Sequence, residues 1–144
     1  MVDFERWVFD EAVSFVREYD YRGAVLDEVS PLEFKALIDA GYLEQQGRFV
    51  RPTHKAYVDE FIDRMVPRIR AVIVEYGPLR AYDRFRIGSD LSPLVSEGWF
   101  TRLSSKQTMY VVTELGESLL KRTARLYEHE LFGKAGPEGF EPTT

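Results

Sequence analysis

The residue types that carry out chemistry are sparse in this chain, and their spacing argues against most reactions. It has two histidines, His54 at a helix start and His129 in the last helical stretch, and no cysteine. Neither histidine has a motif around it. No His-Glu-x-x-His, Gly-x-Ser-x-Gly or phosphate-cradling glycine loop is present. Lack of cysteine excludes disulfides, thiolate metal sites and thiol nucleophiles together. Asp59, Glu60 and Asp63 stand at i, i+1 and i+4 of a helical stretch, where a solvated acidic face is expected. Trp7 and Trp99 read as packing residues, one in a helix and one at a corner before a hairpin. The sequence therefore predicts a non-enzymatic protein, with no catalytic residue, cofactor or metal.

Binding is the better expectation. Arg80, Tyr82, Arg84, Phe85 and Arg86 interleave arginines with aromatics on a connector between Leu79 and Gly88. That pattern suits protein hot spots and nucleic-acid stacking. It is equally compatible with Tyr82 and Phe85 in the core and the arginines on a solvated edge. The net charge of −5 argues against a protein held on nucleic acid by bulk electrostatics. Residues 1–53 carry 11 acidic and 6 basic side chains, whereas residues 67–110 carry 7 basic and 4 acidic. The two parts are expected to meet different partners.

The 144 residues, 44% hydrophobic, suffice for one domain or two small ones. No apolar run approaches the ~18 residues of a membrane span, and Asp3-Phe4-Glu5-Arg6 does not open a signal peptide, so a cytoplasmic protein is expected. Asparagine is absent and only three glutamines occur. This bias is compatible with a thermophilic source, and GC-rich coding would give the same.

Along the chain, Phe4, Val8, Ala12, Phe15 and Tyr19 predict a helix over 3–19 with a wide apolar face. Ala24 to Val29 is short enough for a strand or a small helix. Ser30-Pro31-Leu32-Glu33 then predicts a helix start, with Ser30 as N-cap, Pro31 in the first turn and Glu33 closing a capping box. Gly41 ends that helix. Tyr42–Glu44 and Phe49–Arg51 flank a glycine-bearing turn and predict a hairpin. From Thr53 the pattern Val58, Ile62, Met65, Ile69, Val72, Tyr76 predicts a helix, continuous or broken at Pro67. A short helix over about 89–97, a second hairpin and a final helix to about Phe132 follow. Residues 133–144 are expected to be a disordered tail.

Leu37-Ile38-Asp39-Ala40-Gly41-Tyr42-Leu43 matches Leu94-Val95-Ser96-Glu97-Gly98-Trp99-Phe100 position by position, fifty-seven residues on. Thr113, Gly116 and Leu119 then open the last helix. This succession of helix, glycine-aromatic corner, hairpin and Thr-x-x-Gly-x-x-Leu helix start resembles the C-terminal half of a winged-helix domain of the MarR/PadR type. The resemblance implies an α+β, mostly helical fold of tandem winged-helix modules, each with a small β-hairpin wing. They would cover 1–53 and 77–132, with 54–76 as a linking helix. A single winged-helix domain with an N-terminal helical extension is the alternative.

Winged-helix modules that read DNA place the helix before the wing in the major groove. In the first module that helix offers Glu33, Lys35, Ala36 and Asp39, a poor surface for phosphates. In the second it offers Ser89, Asp90, Ser92, Ser96 and Glu97, with Arg102, Ser104, Ser105 and Lys106 on the wing. Possible nucleic-acid contacts are Ser92, Ser96, Arg102, Ser105 and Lys106, yet no Arg, Asn or Gln on that helix could make bidentate base contacts. The expected function is a transcription regulator that docks on a protein of the transcription machinery, such as RNA polymerase, as a small thermophile or viral regulator would. Arg80, Tyr82, Arg84, Phe85, Arg86, Glu33 and Asp39 are the expected partner contacts. The alternative is a sequence-specific DNA-binding repressor or activator, dimeric through its last helix.

Overall fold

A computed structural model describes residues 2–103 and 109–132. The fold is α+β and mostly helical, with two three-stranded antiparallel sheets. The chain divides into two compact units, one ending at Arg64 and one beginning at Met65. The division falls inside the helix expected to link two modules. The expected disordered tail, 133–144, lies outside the described residues.

In the first unit, α1 (Val2–Tyr19) buries Val8, Ala12, Phe15 and Val16 against Ala24, Val29, Leu37, Tyr42, Leu43, Val50 and Ala56. The ambiguous stretch after Gly23 is both things in miniature. Ala24–Val25 forms strand β1, and Leu26–Glu28 forms a 3-10 turn whose Glu28 carboxylate accepts from the Val25 N–H at 3.1 Å. Helix α2 (Pro31–Asp39) starts as expected, with Ser30 Oγ accepting from the Glu33 N–H. Strands β2 (Leu43–Gln46) and β3 (Phe49–Pro52) form the expected hairpin, its turn carrying Gly47 at φ +62°. β3 is central in the order β1-β3-β2.

Helix α3 (His54–Tyr76) is continuous, with Pro67 in its interior. The second unit continues through β4 (Arg84–Arg86), α4 (Ser92–Ser96), β5 (Phe100–Arg102), β6 (Met109–Val112), α5 (Glu114–Leu126) and α6 (Glu128–Phe132). The last helix, expected to be single, divides at Tyr127. The sheet order is β4-β6-β5, so the strand before the helix again pairs with the second strand of the hairpin. An aromatic cluster fills the core here. Phe85 lies 5.1 Å edge-on from Phe100 and 5.5 Å from Tyr110 in a stacked pair, and Trp99 meets Phe100 at 6.5 Å.

The sequence echo corresponds to one framework built twice. Gly41 (φ +83°) and Gly98 (φ +86°) each end a helix in the left-handed region that favours glycine. The following N–H, of Tyr42 or Trp99, bonds back to the Leu37 or Leu94 carbonyl at 2.9 Å in both units. Thr53 and Thr113 then close the loop. Each donates its N–H to the corner aromatic's carbonyl, at 2.9 and 3.0 Å, and its hydroxyl to the glycine's carbonyl, at 2.6 and 2.5 Å. The units diverge just beyond, where Ala56 stands for Gly116. A Cβ at Gly116 would lie 2.0 Å from the Trp99 carbonyl oxygen, so α5 crosses the corner closer than a side chain permits.

Candidate functional site

The connector folds as a tight turn leading into a terminal strand. The Asp83 N–H bonds the Arg80 carbonyl at 3.0 Å, and the Asp83 carboxylate accepts from the Arg80 N–H at 2.8 Å. Between them Tyr82 takes φ +73°, a conformation in which a non-glycine residue carries roughly 1–3 kcal/mol of strain. It is held there because its N–H bonds the Val112 carbonyl at 2.7 Å while the Val112 N–H bonds the Asp83 carbonyl at 2.9 Å. The Tyr82 ring is 68% exposed. Its hydroxyl donates to the Glu114 carboxylate at 2.7 Å, a bond that also pushes the phenol pKa up.

Alternation along β4 then sorts the expected contacts. Phe85 points inward and is 3% exposed, at the hub of the aromatic cluster. It is withdrawn from the expected partner surface, because a residue between two outward arginines on a half-covered sheet must face the core. Arg84 and Arg86 are exposed on the other face, and Arg80 is exposed at the turn. Among the described residues, neither Arg84 nor Arg86 has a carboxylate within salt-bridge distance. Pairing sets Arg84 opposite Val111 and Arg86 opposite Met109, with Thr101 beyond Val111. Met109 and Val111 are half-buried, and Leu103, joined to Met109 by a backbone hydrogen bond, is exposed. The outer face of this sheet is thus an apolar stripe bordered by two arginines. Tyr76 secures its border strand, its hydroxyl donating to the Arg86 carbonyl and accepting from the Arg86 N–H.

The expected nucleic-acid contacts are arranged otherwise. Arg102 turns back to the start of α4, where it donates to Ser92 Oγ at 2.8 Å, lies 3.5 Å from the Asp90 carboxylate and covers the Tyr110 ring at 5.6 Å. Asp90 Oδ1 also accepts from the Ser92 hydroxyl and N–H, and these bonds hold its pKa below the usual range. Ser92, expected on the helix, and Arg102, expected on the wing, are therefore engaged with each other. Ser96 is exposed. Ser105 and Lys106 lie outside the described residues. Helix α4 has five residues, which at 1.5 Å rise is only ~7.5 Å of helix.

In the first unit Asp39 is exposed and pairs with Lys35 at 3.2 Å. Glu33 is half-buried, and its carboxyl hydrogen-bonds that of Glu11 on α1 instead of completing a capping box. Burial, that carboxyl and the charges of Glu11 and Glu18 push the Glu33 pKa up to about 7.

The acidic triplet on α3 overturns the expected solvated face. Asp59 is 1% exposed and accepts from the Tyr42 hydroxyl, while Glu60 is 8% exposed. Arg17 bonds Glu60 at 3.2 Å and Asp63 at 2.6 Å, and Arg64 Nε lies 2.9 Å from both Glu60 oxygens. The signal was in the repeat. Where the second unit has Trp99 and Leu119, the first has Tyr42 and Asp59, a hydroxyl matched with a carboxylate.

Among the described residues, no group of His, Asp and Glu is placed to hold a metal ion. A small apolar hollow of about 170 Å³, lined by Ile73, Pro78, Leu79, Leu120, Lys121 and Ala124, is below the size of typical ligand sites. Comparison with protein-family models, curated proteins and solved structures returns no match.

Proposed function

We propose that this chain is a non-enzymatic, cytoplasmic regulator that docks on a protein of the transcription machinery, such as RNA polymerase, through tandem winged-helix modules. The order helix, strand, helix, two-stranded hairpin, with the first strand beside the last, occurs in both units and supports the winged-helix reading. The observation that carries the docking reading is where the cations stand. Arg84 and Arg86 project from the sheet face, whereas α4, the helix that would enter a groove, is five residues long, exposes Ser96 and is followed by the exposed Glu97. A duplex reader needs cations on the helix and wing to neutralise phosphates. In the first unit the equivalent helix exposes Lys35 already paired with Asp39, which supports the same conclusion.

Two measurements test this. Purified core RNA polymerase is expected to retain the protein on an affinity column. Random duplex DNA is expected to show no shift at ~50 mM salt. A shift that disappears steeply by ~200 mM would instead establish the alternative, a DNA-binding repressor or activator.

A further inference from the structure

We infer that the outer face of the second unit's sheet takes an acidic, extended peptide segment whose carboxylates alternate with apolar side chains. This deepens the docking reading by naming the chemistry of the partner.

The inference starts from the two cations. Arg84 and Arg86 lie two residues apart on one strand, so their backbone positions repeat at ~6.8 Å. An extended partner repeats its own alternate side chains at the same distance. Two carboxylates at i and i+2 can therefore meet two guanidinium groups that have no intramolecular carboxylate among the described residues. Arg102, on β5, is already held by Ser92 and Asp90, which leaves the β4 pair as the available cations among the described residues of this sheet. Beside them run Val111, Met109 and Leu103, half-buried or exposed, an apolar strip that a single guanidinium ladder does not cover. A partner carrying only charge would leave that strip wet, and a purely apolar one would strand the arginines. An acidic-apolar segment laid edgewise between the two rows, its carboxylates toward the arginines and its apolar side chains toward Val111 and Met109, satisfies both. At one end Tyr82 offers an exposed ring in a fixed, strained turn, a rigid aromatic anchor of the kind enriched at hot spots.

The first unit supplies an internal control. Counting back three residues from Thr53 and Thr113 aligns Val50 with Tyr110, and hence Ala24 with Phe85. Arg84 and Arg86 then correspond to Gly23 and Val25. A Cβ at Gly23 would lie 2.3 Å from the Val50 carbonyl oxygen, so no arginine could stand there. The remaining cation of that face, Arg51, stands opposite the exposed carboxylate residue Glu44 in the strand register, so that the two charges of the face balance. One framework thus presents a neutral face in the first unit and an uncompensated basic one in the second. Nucleic acid is disfavoured as the occupant because the chain's net charge of −5 opposes a polyanion at long range, whereas a short acidic segment is guided by the local pair.

The test is fluorescence anisotropy at ~50 mM salt with a fluorescein-labelled peptide of alternating Glu and Leu between Gly-Ser flanks, its Gln-for-Glu counterpart, and a single-stranded oligonucleotide of equal charge. The protein is expected to bind the acidic peptide at least about tenfold tighter than the Gln peptide and the oligonucleotide. The doubly substituted Arg84→Glu/Arg86→Glu protein, its fold checked by circular dichroism, is expected to lose that preference. Equal binding of the Gln peptide, tighter binding of the oligonucleotide, or an unchanged preference in the folded double variant would overturn the inference. The milder Arg84→Gln/Arg86→Gln pair gives the same readout if charge reversal disturbs folding. Retention of the double variant on the polymerase column would sink this face while leaving the docking reading intact. Loss of wild-type retention with peptide discrimination preserved would do the reverse.

Discussion

Replacing Gly116 by alanine should destabilise the second unit severely, although glycine to alanine inside a helix ordinarily stabilises by up to about 1 kcal/mol. The added Cβ would sit 2.0 Å from the Trp99 carbonyl oxygen and 2.9 Å from its carbon. Ordinary contact requires the corner to retreat by more than ~1 Å. That carbonyl accepts the Thr113 N–H at 3.0 Å and the Thr113 hydroxyl at 2.9 Å, and Trp99 is 1% exposed. Losing the Thr113 N–H bond and the Trp99 share of a hydroxyl proton that the Gly98 carbonyl also takes, about 1–2 kcal/mol together, with overpacking of 1–3 kcal/mol around the indole, gives a cost of about 2–5 kcal/mol. Urea unfolding followed by tryptophan fluorescence and far-ultraviolet circular dichroism would read it as a lower midpoint at unchanged slope. The reciprocal substitution, Ala56→Gly, should cost the helix-propensity difference of about 1 kcal/mol plus about 1 kcal/mol for the buried methyl. A Gly116→Ala protein as stable as wild type would refute the close-approach argument and with it the account of why the two corners differ.

Asp59→Leu alone should cost about 1–3 kcal/mol by removing the carboxylate that accepts from the Tyr42 hydroxyl in the core, and adding Tyr42→Trp should recover part of that, a coupling that a double-mutant cycle in urea would measure. Because the folded Glu33 pKa lies near 7, above its ordinary 4.5, the folded state binds the extra proton; the contribution of Glu33 to stability should be fully present below about 4.5, be lost as pH rises toward 7 and level off above. Glu33→Gln should abolish that slope and stabilise the protein at pH 8 by about 1 kcal/mol, discounted for the solvent that still reaches the carboxyl; an unchanged pH profile in thermal melts would count against the Glu11 pairing. Tyr82→Gly should relieve the left-handed strain, leaving the melting temperature equal or higher, while acidic-peptide affinity falls; a large loss of stability would show that the turn depends on the ring.

Much of the fold was legible because punctuation and periodicity agreed. Ser30-Pro31, Gly41, Gly47, Gly98 and Thr113 all act as their chemistry requires, and the recurrence of Leu37–Leu43 at Leu94–Phe100 announced a repeated framework. Three features were illegible for identifiable reasons. Phe85 in an Arg-Phe-Arg run reads as a binding motif until the strand is recognised, after which alternation alone sends it inward. Asp59 and Glu60 look solvated because burial of a carboxylate depends on distant partners, Tyr42 and Arg17, that no local pattern reveals. Arg102 looks like a wing cation, yet its hold on Ser92 and Asp90 arises only when β5 returns past the start of α4.

The Tyr76 hydroxyl has a further effect on how this molecule can assemble. A terminal strand with open amide and carbonyl groups is a template on which a neighbouring chain can continue the sheet. At Arg86 both groups are occupied by one phenolic oxygen held on α3. Copies of the chain therefore cannot add strand to strand through β4 without first expelling that oxygen. Tyr76→Phe, which leaves the ring beside Phe85 but removes the plug, should turn a soluble preparation toward concentration-dependent self-association at this edge.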